Sequence, residues 1–358
     1  MKSTLSEFEQ IEDGSLQKKD RRFDKIELEV FSDEIMPVTL STDNSRWLYI
    51  GTLFVPIESK NTCLSMLNNL RCKENRVWYN KRLECPNKCE FHDKNNTEIH
   101  YKTLHKSNER LRIAKDWINY LNRFAARKSP SIYINILGLN LSNMDLASFG
   151  DTKNKNTNTI YNRFYRTVLT SGFNYFFKDY KRIVINRIYH DKGSQESHKF
   201  FPWHPIYKTK KEDRIEIKSK KIEFIDSDHR KSKKNESHFI QLIDIILGAT
   251  YVCLHNPTKI KKKKKIGLCF KKILNTLLDR KKSQKGFMKG SYYRSNYYRK
   301  YQISFFPKNK MNIDEAFEQL DLEGTYAEDA GKEVSNFYYE RPILLDDYPS
   351  YTLWKWMQ

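Results

Sequence analysis

The chain predicts an α/β fold, a mixed sheet flanked by helices, and three observations carry that prediction. Segments with period-two hydrophobic alternation, such as Lys25–Phe31 (KIELEVF), are interspersed with segments of helical period. Three strand candidates end on acids, at Asp33, Asp191 and Asp226, where a sheet offers side chains to a ligand cleft. The most apolar run, Phe239–Leu254, reads as a core helix and contains one carboxylate, Asp244.

In chain order, residues 1–22 are polar and charged and read as an arm. Lys25–Phe31 is the first strand, and Arg46–Pro56 (RWLYIGTLFVP) is a second, more buried one. Ser59–Leu70 reads as a helix, followed by a cysteine-bearing insertion at 71–95. Glu98–Thr103 (EIHYKT) resumes the alternation and is expected to be a third strand, with Glu98 and His100 on one face. Leu111, Ala114, Trp117, Ile118, Leu121 and Ala125 form the apolar stripe of a helix over about 107–127. Pro130 separates it from a strand at Ser131–Leu139. A helix at 158–178, a strand at Lys181–Tyr189, a short strand at Lys221–Ile225 and a helix at His238–Leu254 follow. This is the element order of a ribonuclease-H-like sheet. It assigns 23–256 to one such domain and 257–358 to a basic, then acidic and aromatic, C-terminal extension.

At 358 residues the chain can hold one large α/β domain with an appendage, and 39% hydrophobic and 14% aromatic residues exclude general disorder. The N-terminal MKSTLSEFEQIEDGS lacks the apolar stretch of a signal peptide. Phe239–Leu254, interrupted by Gln241 and Asp244, falls short of a bilayer span. A cytoplasmic protein without a transmembrane segment is therefore expected. The thiols Cys63, Cys72, Cys85, Cys89, Cys253 and Cys269 fit reduced cysteines or a metal site better than a disulfide framework.

The net charge of +21 favours polyanions, nucleic acid first and an acidic membrane surface as the rival. It is concentrated: 18 Lys or Arg face one acid, Asp279, between Lys259 and Lys310. Residues 311–347 instead carry 11 acids against Lys332 and Arg341. Within the basic stretch stand Lys261, Lys262, Lys263, Lys264 and Lys265, and further on Arg294, Tyr297 and Arg299 in SYYRSNYYRKYQ. Ammonium and guanidinium groups neutralise phosphates and tyrosine faces stack on bases, so nucleic acid is the expected partner. A solvated surface would explain the same residues, and Leu268, Phe270, Ile273, Leu274 and Leu277 offer a weak membrane-facing stripe. The acidic tail is expected to fold back on the basic segment, within the subunit or across a homodimer.

Phosphodiester hydrolysis needs an activated water and neutralised charge on the leaving oxygen, both of which Mg²⁺ or Mn²⁺ supplies when held by carboxylates. The useful sign is an acid where its element should be apolar. In FIQLIDIILGATYV, Gln241, Asp244, Gly248 and Tyr251 share one helix face while Ile, Leu and Val occupy the rest. The bland reading gives Asp244 a structural ion pair. The functional one makes it a metal ligand, with Gln241 orienting a ligand or water. Asp33, Glu98 and Asp244 form the expected ligand core, with Glu34 as a further catalytic acid. His100, Lys102, Asp191, Asp226 and Gln241 are expected auxiliaries.

Taken together, Asp33-Glu34 within VFSDE and Gln241-Leu242-Ile243-Asp244 within HFIQLIDIILGAT resemble the marks of the domain-of-unknown-function family numbered 3800. Glu98-Ile99-His100-Tyr101-Lys102 is similar to that family's charged strand, and IEFIDSDHRKS to the segment before its Gln-x-x-Asp helix. The resemblance implies a ribonuclease-H-like fold and nuclease activity for roughly residues 25–256. Separately, Cys85, Cys89 and His92 with Cys72 upstream could form a structural Cys₃His zinc site. The expected function is a metal-dependent nuclease, of the kind found among defence or mobile-element effectors. The alternative is an inactive nucleic-acid-binding or protein-interaction component. A serine hydrolase is disfavoured because no Gly-x-Ser-x-Gly elbow occurs.

Overall fold

A computed structural model describes residues 8–10, 16–18, 23–41, 43–72, 97–124, 132–149, 157–193, 214–255, 257–278 and 300–307. Strands β1 (Phe8–Gln10) and β2 (Leu16–Lys18) form a small antiparallel ladder within the segment read as an arm. The main sheet contains β3 (Phe23–Thr39), β4 (Arg46–Pro56), β5 (Tyr133–Asn140), β6 (Tyr180–Asp191), β7 (Ile215–Ile217), β8 (Glu223–Ile225) and β9 (Tyr301–Phe306). Its order is β7-β6-β3-β4-β5-β9, with β8 also paired to β6. Strand β4 is antiparallel to both neighbours, whereas β6 runs parallel to β3, β7 and β8 to β6, and β9 to β5. The molecule is thus α/β with a mixed sheet, as its alternating periods predict.

The expected third strand is not one. Residues 97–100 belong to no strand or helix, and Tyr101–Lys106 is a 3-10 helix. The reason is a competition for donors: the Ile99 and Tyr101 amides bond to side chains of the late apolar helix instead of a neighbouring strand. The antiparallel meander is completed by β5, at the segment expected to be the fourth strand. Between β4 and β5 lie α1 (Ile57–Asn69) and α2 (Asn108–Phe124). Helix α3 (Thr157–Phe176) precedes β6, and α4 (His229–Ser232), α5 (Ser237–His255) and α6 (Lys261–Leu278) follow β8.

Alternation along the strands divides the interior in two. Leu28, Val30, Ile50, Phe54, Ile183, Ile185 and Ile188 pack with α3 on one face. Phe31, Tyr49, Leu53, Tyr189 and Ile303 pack on the other with α5, which is apolar nearly all round and almost wholly buried. By length and composition α5 could cross a membrane, but its place is the centre of this core. Helix α5 lies close on the sheet because Gly51 faces it: a Cβ there would meet Ile243 and Leu247 at 2.8–2.9 Å. The stripe of α6 read as a weak membrane face is buried too, through Leu268, Phe270, Ile273 and Leu274. With β9 extending the sheet beside β5, parts of the C-terminal segment belong to the same layers as the rest.

A β-bulge decides which face the acid end of β6 presents. Leu28 registers with Ile185 but Glu29 with Arg187, so Asn186 is an extra residue in β6. Beyond it the parity flips, sending Ile188 and His190 toward α3, and Tyr189 and Asp191 toward α5.

Candidate active site

Parallel pairing of β3 and β6 ends at Ser32 and His190, so the next residues, Asp33 and Asp191, sit side by side. Asp33 lies two residues beyond Phe31, whose ring packs on Tyr189 (5.1 Å) and Phe239 of α5 (4.6 Å), so it points toward the same helix. Asp244 occupies the facing turn of α5. Burial, then the charges of Asp191, Asp244 and Glu34, hold the Asp33 carboxyl well above the usual carboxylate range. Burial, then Asp244, pushes Asp191 up to about 6. Asp244 is also raised by burial, opposed by His100 and by the Tyr101 amide. These three acids come from three elements and repel one another. Among the described residues, buried Asp191 Oδ1 has no hydrogen-bond partner.

Asp244 is held from one side. Its Oδ2 accepts the Tyr101 amide at 2.6 Å and lies 3.7 Å from His100 Nδ1, and among the described residues no Arg or Lys pairs with it at salt-bridge distance. The turn can approach because residue 248 is Gly: a Cβ there would stand 2.2 Å from the Tyr101 ring. Glu98 reaches Ser227 Oγ at 2.7 Å and raises both Asp191 and Asp244 electrostatically, which places it at the rim of the cluster. Lys102 acts on Glu34 and Asp244 with the opposite sign.

Gln241, expected to orient a ligand or water, bonds within the protein at both ends of its amide. Its Oε1 accepts from Arg71 (2.5 Å) and the Ile99 amide (3.0 Å), and its Nε2 donates to the Ser227 carbonyl (2.6 Å). Arg71 is fully buried, donates to the Thr97 carbonyl at 2.9 Å and lies over the Trp117 ring. Gln241 therefore ties the Glu98–His100 segment and the Ser227 loop to α5. Arg71 is a residue the sequence reading missed, since nothing about an Arg between helix and insertion marks it as buried.

Glu34 faces α3, opposite Asp33. Its Oε2 lies 3.4 Å from His190 Nε2 and has no hydrogen-bond partner among the described residues. Burial, then Asp191, pushes its carboxyl up to about 8. The His190 Nδ1 sits 2.8 Å from the Asp191 carbonyl and so carries the ring proton, leaving Nε2 to accept from the Tyr161 hydroxyl at 2.5 Å. Burial holds His190 down at about 4, hence neutral. Asp226 is used differently: it accepts the Asp228 amide in a turn and approaches Lys231 at 3.8 Å.

Lys261–Lys265 open α6, and Lys263 Nζ rests 4.7 Å above the Tyr101 ring. Arg294, Tyr297 and Arg299, and the zinc candidates Cys85, Cys89 and His92, lie outside the described residues. Cys72 is a buried thiol at the start of that stretch. Among the described residues, no three His, Cys, Asp or Glu side chains converge closely enough to enclose a metal ion as they stand. No protein family, curated protein or solved structure matches the chain.

The donor chemistry of the cluster nonetheless fits one class of ion. Asp33, Asp191, Asp244 and nearby Glu98 offer carboxylate oxygens only, the set that hard divalent cations such as Mg²⁺ or Mn²⁺ take. Such a cation would offset the repulsion among these carboxylates, as a proton on one of them also does.

Proposed function

We propose that this chain is a divalent-metal-dependent nuclease with a ribonuclease-H-like sheet, acting through Asp33, Asp191 and Asp244. The observation that carries the reading is the meeting of two adjacent parallel-strand ends and a buried helix at three mutually repelling carboxylates. The meander of β3, β4 and β5, followed by parallel β6 and β8 and a late helix, supports the fold half of the proposal. So does the resemblance of Asp33-Glu34 and Gln241-x-x-Asp244 to family 3800.

In this reading Asp33, Asp191 and Asp244 would hold the metal, with Glu98 at the edge of the set. Mg²⁺ or Mn²⁺ bound there would supply the Lewis acid and the activated water of phosphodiester hydrolysis. The protein's own contribution is placement. The Asn186 bulge aims Asp191, the Tyr101 amide fixes one oxygen of Asp244, and Gln241 anchors the segment carrying Glu98 and His100. Glu34, pushed up to about 8, still holds a proton at neutral pH on the far side of Asp33.

The test is cleavage of labelled single-stranded and duplex RNA and DNA with Mg²⁺, Mn²⁺ or chelator, in wild type, Asp191→Asn and Asp244→Asn. Metal-dependent cleavage by wild type alone is expected, with both variants down at least a hundredfold. Cleavage that either variant retains in full refutes the assignment, and absence of cleavage by wild type on all substrates refutes the nuclease reading.

A further inference from the structure

The first turns of α6 pose an energetic problem. A helix N-terminus carries partial positive charge and favours acids, yet Lys261, Lys262, Lys263, Lys264 and Lys265 occupy the first five positions with no acid among them. Each ammonium opposes the helix dipole and its neighbours. None of the five has a carboxylate partner among the described residues. Such a local conflict is retained where something outside the fold relieves it. Its location is specific. Lys263 lies over the Tyr101 ring, whose amide holds Asp244, and Lys262 Nζ reaches the His105 carbonyl at 3.2 Å. Lys263 feels both Asp244 and Lys102, and burial pulls its ammonium below the ordinary range, so two cations crowd the rim of the carboxylate cluster.

We infer that Lys102 and the lysines opening α6, Lys263 foremost, form a strand-phosphate subsite that grips a nucleic-acid backbone beside the phosphodiester to be cut. This rests on the nuclease reading for the word "cut", but not for the binding itself. The anionic cluster alone would repel a polyanion. The lysine wall places positive charge next to it, so the strand is drawn to the rim while its reacting phosphate meets the carboxylate side. Tyr101 serves as the joint: its amide is committed to Asp244 and its ring carries Lys263, so phosphate seating and carboxylate position share one residue.

The experiment measures binding of a fluorescent single-stranded oligonucleotide by anisotropy in chelator, where hydrolysis is not read, across a salt series. Wild type is compared with Lys263→Gln, Lys102→Gln and the double variant. Lys181→Gln, an exposed lysine beside Asp24 at the opposite end of β6, is the control. Each subsite variant should weaken binding about three- to tenfold at low salt and lower the salt slope by about 0.7 per lysine, with the control unchanged. Equal slopes for the variants and the control overturn the subsite. A mononucleotide competing as well as the strand, or anionic phosphatidylserine vesicles competing in a Lys263-dependent way, also overturns it, assigning the lysines to a single phosphate or to a membrane surface. Lysine-dependent binding without metal-dependent cleavage by wild type would sink the nuclease reading and leave the subsite standing. Intact cleavage with unchanged slopes would do the reverse.

Discussion

Replacing Asp191 by Asn should make the metal-free protein more stable while abolishing the response to metal. The Asp191 carboxyl is moved from its ordinary 3.8 up to about 6, by burial first and then by Asp244. Its pKa is higher in the folded chain than in the unfolded one. The stability it contributes is therefore complete below about pH 4 and is lost as pH rises through about 6. At neutral pH the fold bears the cost of a charge it would prefer to protonate. Two pH units correspond to roughly 3 kcal/mol, which solvent screening of this partly exposed side chain reduces to about 1–2 kcal/mol. Asn removes the charge at nearly constant shape. The metal-free variant should thus melt about 1–4 °C higher at neutral pH, a gain that vanishes toward pH 4. Thermal melts in chelator and in Mn²⁺ check this: wild type should rise with Mn²⁺ and the variant should not. If Asp191→Asn melts lower than wild type in chelator at neutral pH, or still gains stability from Mn²⁺, the repulsive-cluster account is wrong.

Four further outcomes follow from the same geometry. Because Asp191 must shed a proton held to about 6, Mn²⁺ affinity should climb as pH rises through that value and binding should release protons. Calorimetry in buffers of different ionisation enthalpy reads that release, and a pH-independent affinity would contradict it. Gln241→Ala strands the Ile99 amide, the Ser227 carbonyl and part of the Arg71 hydrogen bonding, and should destabilise by about 3 kcal/mol or more in urea melts. Gly248→Ala, whose Cβ would stand 2.2 Å from the Tyr101 ring, should displace the turn holding Asp244 and lower metal affinity more than stability. Gly51→Ala, wedged against Ile243 and Leu247, should instead cost about 1–3 kcal/mol of stability by lifting α5 from the sheet.

The fold was legible where periodicity and burial speak with one voice. Strand β4 and helices α2, α3 and α5 fall close to their expected bounds because their apolar positions repeat at one period over many residues. Residues 98–103 misled because they alternate as a strand does, while their backbone donors are claimed by Gln241 and Asp244 from a helix some 140 residues later in sequence. Local alternation cannot report such a bond. The pairing of β9 with β5 was hidden for a similar reason, since a parallel edge strand far along the chain carries no turn signal linking it to its partner.

The site was half legible, and the division has a physical cause. Asp244 announced itself because a carboxylate in an apolar helix needs a reason. Asp33 did so because it ends a strand. Asp191 had the same strand-end signal, yet its face depends on Asn186, and a one-residue bulge inverts the parity of everything after it. Counted at strict period two from Ile185, Asp191 would point at α3 and miss Asp33; with the bulge it points at α5 and meets both partners. Gln241 shows the converse. Its spacing from Asp244 puts the two on one helix face, which spacing can show, but whether an amide serves a ligand or the backbone depends on what faces it. Here Arg71 and Ile99 fill its oxygen and the Ser227 carbonyl takes one of its N–H groups, so the pair divides its labour: Gln241 builds the wall and Asp244 supplies the charge inside it.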